Sequence, residues 1–203
     1  RLAAAAEKAV RRVLISSGVR NRDPCPRKPF PLAGRSFLSL LEGKSETHPR
    51  TEIFSGRERH SSSRFNTLGY PQRCIRTKRF LYVRNFKPER WPAGPGQKLS
   101  GKPGSRPGPE HGGYHDIDAC PSLSFLIAGR NDPEVKKFFH LAVAKRPHEQ
   151  LFDIQKDPGC LKNLADDPAL TEVKERLAGQ LTNYLKITAD PRATGNGDIF
   201  ETY

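Results

Sequence analysis

The sequence predicts an α+β fold: a small antiparallel β-sheet of about four strands packed against one long C-terminal α-helix, with long Pro/Gly-rich loops. Three observations carry this. Residues 70–86, YPQRCIRTKRFLYVRNF, set two β-branched and aromatic runs on either side of a short polar turn, the pattern of a hairpin. Residues 168–187 place Leu170, Val173, Leu177, Leu181, Tyr184 and Leu185 at spacings of three and four, an apolar helical stripe that must cover another layer. Residues 87–113 are dominated by Pro and Gly and hold too few apolar side chains to pack alone.

The elements follow in order. Residues 2–15, LAAAAEKAVRRVLI, predict a helix from their Ala content and one apolar face, stopped by Ser16-Ser17-Gly18. Residues 19–31 read as a basic linker broken by Pro. PLAGRSFLSLLEGK (31–44) predicts a turn feeding a short helix that Gly43 ends. RTEIFSGRERH (50–60) gives a strand through Ile53 and Phe54, with Gly56 opening a polar loop. In the hairpin, Cys74-Ile75-Arg76 and Phe80-Leu81-Tyr82-Val83 are the strands, and an exposed edge would explain their many Arg neighbours. The Pro/Gly-rich segment predicts a surface loop anchored by Trp91. Two short helices follow in 122–147, split near Gly129, the second with Asp132 as N-cap and Pro133 at its first position. Glu149–Ile154 is a strand, Asp157-Pro158 a turn, and Asp167-Pro168 the cap and first residue of the final helix.

Composition sets the bounds. At 203 residues, with 35% hydrophobic residues, 17 Gly and 18 Pro, the chain is one domain of ordinary size with a modest core. It begins with Arg1 and contains no Met, so a fragment or processed product is expected. No apolar run nears the roughly 20 residues of a membrane span. The net charge of +13 is uneven: residues 1–109 hold 24 Lys and Arg against 7 acids, and 110–203 hold 11 against 15. A basic first half attracts polyanions, although a merely solvated basic surface explains it equally well. Cys25, Cys74, Cys120 and Cys160 form no CxxC pair, which leaves a zinc ribbon or thioredoxin-type site unsupported.

Three stretches could carry chemistry. GQKLSGKP (96–103) begins like a phosphate-binding loop, but Pro103 stands where a hydroxyl is needed and no strand precedes it. His111, His115, Asp116 and Asp118 are metal-ligand types in loose spacing, better read as a polar turn. GRERHSSSR (56–64) gathers Arg57, Arg59 and Arg64 around Glu58 and His60. Guanidinium groups grip planar oxyanions such as sulfate bidentately, and a His beside them can donate to a leaving group. By themselves the residues support a basic face without a complete active site.

LFDIQKDPGCLKNLADDP (151–168) resembles the C-terminal signature of sulfatases, a strand followed by Asp-Pro and Asn-Leu-Ala. GRSFLSLLEGK resembles the segment after the sulfatase core, and YPQRCIRTKRFLYVRNFKPERWPAG and LTNYLKITADPRATGNGDIF are similar to the heparan N-sulfatase (sulfamidase) branch of bacterial sulfatases. The resemblance spans residues 31–203 and leaves 1–30 as an atypical extension. It implies the smaller C-terminal subdomain of a sulfatase, a sheet and helix closing one side of a cleft over a sulfated, heparan-type glycan. Arg57, Glu58 and His60 would be the substrate contacts, with Arg73 behind them. Calcium and a formylglycine are implied for a catalytic domain that would be this chain's missing partner, in a periplasmic or secreted enzyme; nucleic acid is not an implied partner. The formylglycine motif C-x-P-S-R is absent: the cysteines continue as Cys25-Pro-Arg-Lys, Cys74-Ile-Arg-Thr, Cys120-Pro-Ser-Leu and Cys160-Leu-Lys-Asn. The chain alone is therefore expected to be inactive, with 151–168 architectural. The alternative is a basic polyanion-binding module without catalysis.

Overall fold

The computed structural model describes residues 38–44, 50–58, 65–96, 113–114 and 116–201. The helix expected over 2–15, His60, His111 and His115 lie outside the described residues. The chain divides into two compact units, Arg1–His48 and Pro49–Tyr203. In the first, Leu38–Leu41 forms a single exposed helical turn, α1. All other described elements belong to the second.

Four strands form one antiparallel sheet in chain order: β1 (Ile53–Arg57), β2 (Gln72–Arg76), β3 (Phe80–Asn85) and β4 (Glu149–Asp153). The β2–β3 hairpin closes where Thr77 N donates to the Phe80 carbonyl at 2.8 Å and Thr77 Oγ1 accepts from Phe80 N at 3.0 Å. Gly56 lies within β1 rather than opening a loop, because the ladder continues through the pairs Gly56–Arg73 and Arg57–Gln72. The hairpin is central and not an edge, so edge exposure does not account for Arg73, Arg79 and Arg84; pairing with carboxylates does. Arg79 Nε and Nη2 donate to Asp153 Oδ2 at 3.0 and 2.9 Å, bonds that, outweighing burial, hold that carboxyl below its ordinary range.

Register explains the core. Phe54, Ile75, Tyr82 and Leu151 are direct cross-strand partners and form one row across the sheet. Helix α4 (Thr171–Ile187) lays Leu177, Leu181 and Leu185 on this row, all buried. Each such leucine stabilises the fold by about 1.5–3 kcal/mol. Phe54 and Tyr184 stack with ring centroids 3.8 Å apart and planes within 2°. Pro168–Leu170 is a 3₁₀ turn entering α4, and Asp167 caps it, accepting from Ala169 N at 3.0 Å.

The connection between β4 and α4 is built from side chains that replace backbone partners. Asp157 Oδ2 accepts from Lys162 N at 2.8 Å. Asn163 Oδ1 accepts from Leu151 N at 2.9 Å and Ala165 N at 3.1 Å, while Leu164 N donates to the Leu151 carbonyl at 2.7 Å. The segment thus seals the outer edge of β4, as its architectural reading requires.

Between β3 and β4, helices α2 (Pro121–Ala128) and α3 (Pro133–Val143) enclose a second small core of Ala93, Tyr114, Leu123, Ile127 and Val143. Asp132 caps α3, accepting from Glu134 N at 2.8 Å. Trp91 does not anchor the Pro/Gly-rich loop: it is 41% exposed, and Ala93 and Tyr114 are buried in its place. Gly96 bridges Gly113 at the neck of that loop with φ +90°, and a Cβ there would lie 2.8 Å from Tyr114 Oη. No helix among the described residues is long and apolar enough to cross a membrane.

Candidate functional site

The end of β1 is where the sequence placed its candidate contacts. Strand alternation sends Gly56 and Glu58 toward the α4 face and Arg57 to the opposite one. Gly56 stands directly across from Arg73, and a Cβ at position 56 would meet Arg73 Cδ at 2.8 Å. The absent side chain is the channel through which Arg73 reaches over the sheet.

Arg73 is 6% exposed and all five of its N–H donors are engaged. Nε and one Nη2 hydrogen grip Asp190 at 2.7 and 3.3 Å, Nη2 also reaches Glu58 Oε1 at 2.6 Å, and Nη1 donates to the carbonyls of Arg57 and Gln72 at 3.2 and 2.8 Å. Glu58 is shared with Arg192, whose Nη2 lies 2.8 Å from Glu58 Oε2 and 2.9 Å from Glu201 Oε1. Arg90 completes the series at 3.0 Å from Glu201 and 2.9 Å from the Gly69 carbonyl. Three guanidinium and three carboxylate groups alternate, so the cluster is neutral. Phe200 lies under it, 6.0 Å from Arg73 and 5.4 Å from Arg192. Burial pushes the Glu201 carboxyl up, but the Arg192 and Arg90 bonds outweigh it and hold the group below its ordinary 4.5. Burial likewise pushes Arg192 down, and its bonds to Glu58 and Glu201 carry it above its ordinary value.

Beside this cluster, between β1 and the C-terminal end of α4, lies an open cavity of about 360 Å³ lined by Phe54, Gly56, Glu58, Arg73, Tyr184 and Asp190 among others. Tyr70 N donates to the Glu58 carbonyl at 2.7 Å and fixes the point where the chain leaves β1. Arg57 bonds Asp116 on the other face and leaves 44% of its side chain exposed. The structure therefore brings the charged groups of Glu58 and Arg73 together, turns the Arg57 guanidinium away to Asp116, and does not describe His60. Asp190, Arg192, Glu201 and Arg90 were not anticipated. The one local signal was Asp190-Pro191-Arg192, a turn in which Asp190 Oδ1 accepts from Arg192 N at 2.9 Å.

Among the described residues, no group of three or more His, Cys, Asp or Glu side chains is placed to hold a metal ion. Cys74, Cys120 and Cys160 are free thiols.

No family model matches the chain. It is 28% identical to an ulvan-active sulfatase of Formosa agariphila, over 80% of this chain and 26% of that protein. A second ulvan-active sulfatase of the same organism is 25% identical over 76% of this chain and 24% of its own length. Its curated relatives are sulfatases. The chain spans about a quarter of their length. Among solved structures, a 2-O GAG sulfatase and a protein from Bacteroides thetaiotaomicron described as a sulfatase each align at TM-score 0.46 and 18% identity, over 83% of this chain and 23% of theirs.

Proposed function

We propose that this chain is the substrate-side part of a sulfatase acting on a sulfated polysaccharide, and that the reaction centre belongs to other segments of the whole protein. The observation that carries this reading is sequence similarity to two sulfatases across about four-fifths of the chain, in a sequence without a formylglycine motif. Residues 31–203 are the C-terminal subdomain in this reading, and 1–30 an extension. Formylglycine and calcium belong with the missing reaction centre, and the chain alone releases no sulfate.

Within the subdomain, Arg57 and the following His60 make the glycan contacts. Arg57 is the exposed guanidinium at the end of β1. Glu58 and Arg73 act behind them, because their charged groups are taken up by each other, Asp190 and Arg192. The substrate is a sulfated polyanion of the heparan type that the hairpin resembles, or the ulvan for which the curated relatives are named.

A free-standing nucleic-acid or heparin module is disfavoured by the same pairing. Arg73, Arg79, Arg84 and Arg90 belong to the basic first half, and each meets a carboxylate. Much of the apparent basic face is thereby neutralised within the fold.

The purified 203-residue chain is expected to release no sulfate from ulvan or heparan sulfate oligosaccharides, yet to bind one of them in calorimetry. Arg57→Ala should weaken that binding about tenfold or more, since hydrogen bonds to charged groups contribute about 1.5–3 kcal/mol. Sulfate release by the isolated chain, or binding unchanged by Arg57→Ala, overturns the assignment.

A further inference from the structure

On the sheet face opposite α4, a second cavity of about 300 Å³ opens between the β1–β2 edge and the end of α3. Its walls are largely polar and include Arg57, Tyr70, Gln72, Asp116 and Arg146. Arg146 follows α3 and donates to the Leu141 carbonyl, closing the helix end. It is half-buried, and among the described residues no carboxylate forms an ion pair with it. Burial pushes its guanidinium below the ordinary value, partly offset by the neighbouring Tyr70 phenol. Asp116, with only 4% of its side chain exposed, bonds Arg57. Among the described residues, two guanidinium groups thus line a polar cavity with one carboxylate, a surplus positive charge in a space about ten times the volume a water molecule occupies.

A guanidinium withdrawn from water without a counter-charge is costly, and a planar oxyanion matched to its fork offsets that cost. We infer that this cavity is an oxyanion-binding subsite in which Arg146 and Arg57 together hold a sulfate ester or a uronate carboxylate of the polysaccharide. The source of the oxyanion rests on the proposed function; the cavity and its charge do not.

The test uses the full 203-residue chain, with arginine side-chain Nε–Hε resonances followed by NMR. Inorganic sulfate and then acetate are added at constant ionic strength. Saturable shifts of Arg57 and Arg146 are expected, and Arg146→Gln should weaken the response at Arg57 at least tenfold while Arg146→Lys retains part of it. Shifts that are absent or strictly linear, or a response at Arg57 untouched by Arg146→Gln, overturn the subsite. Should Arg146→Gln lose its native amide dispersion, Arg57→Gln read at Arg146 gives the same decision. A carboxyl-reduced sulfated oligosaccharide and a desulfated oligosaccharide with its uronates intact then distinguish the two sources, the one that competes with inorganic sulfate being the occupant. Sulfate binding without oligosaccharide binding keeps the subsite and removes the glycan reading. Oligosaccharide binding that depends on Arg57 but not on Arg146 does the reverse.

Discussion

Replacing Arg73 by Met removes the buried guanidinium that joins Asp190 to Glu58 and keeps most of the side chain's volume. Asp190 then loses two guanidinium bonds, of 2.7 and 3.3 Å, and retains only the backbone N–H of Arg192. Glu58 loses a bond of 2.6 Å but keeps Arg192. Breaking a buried pair from one side costs about 3–5 kcal/mol, and the surviving Arg192 contacts place this case at the lower end, about 3 kcal/mol. With a urea dependence of about 2 kcal/mol per molar, the unfolding midpoint falls by about 1.5 M. Urea is the right denaturant because it adds no screening ions. The Arg73→Met, Asp190→Asn cycle should return a coupling energy of about 1–3 kcal/mol. Gly56→Ala reaches the same cluster by another route, forcing a Cβ to within 2.8 Å of Arg73 Cδ, and should cost about 1–3 kcal/mol. A loss below about 1 kcal/mol for Arg73→Met, at unchanged urea dependence, would refute the reasoning and make the cluster incidental to stability.

Two further outcomes follow from the sheet. Asn163→Ala strips Leu151 N and Ala165 N of their acceptor, so the domain should lose about 2 kcal/mol and the Leu151 amide should exchange faster; an unchanged exchange rate counts against the edge seal. Burial first, and then the bond to Glu149, pushes the Tyr82 phenol up from 10.0 to about 12. A folded-state pKa above the unfolded one gives stability that is complete below pH 10 and is lost as pH rises toward 12. Stability measured against pH should show that alkaline fall in the wild-type chain and a shallower one in Tyr82→Phe; identical curves would contradict the assignment.

Local pattern carried the elements it could carry. Two β-branched and aromatic runs around a polar turn gave the hairpin, three-and-four spacing gave α4, and Asp-Pro pairs at 132–133 and 167–168 marked two caps that the structure contains. The ion cluster could not be read that way. Arg73 and Asp190 are 117 positions apart, and charged residues in isolation look like surface. The same blindness made the hairpin arginines resemble edge guards, because their carboxylate partners Asp153 and Asp190 come from the acidic second half. At the candidate site, the Glu58–Arg73 pairing fits a single cluster, while the period of two along β1 sends Arg57 the other way. Recognising that the strand continues through Gly56 would have separated them in advance.

The sheet's two margins are unequal. Asn163 and Leu164 occupy the rim of β4, so nothing can add there without first displacing the crossover. At the far margin no described segment pairs with β1, and Ile53 stands 57% exposed upon it. Any foreign strand that lengthens this sheet, from a second copy or from a longer form of the chain, must therefore dock alongside Ile53–Arg57 and would arrive next to the very residues assigned to the glycan.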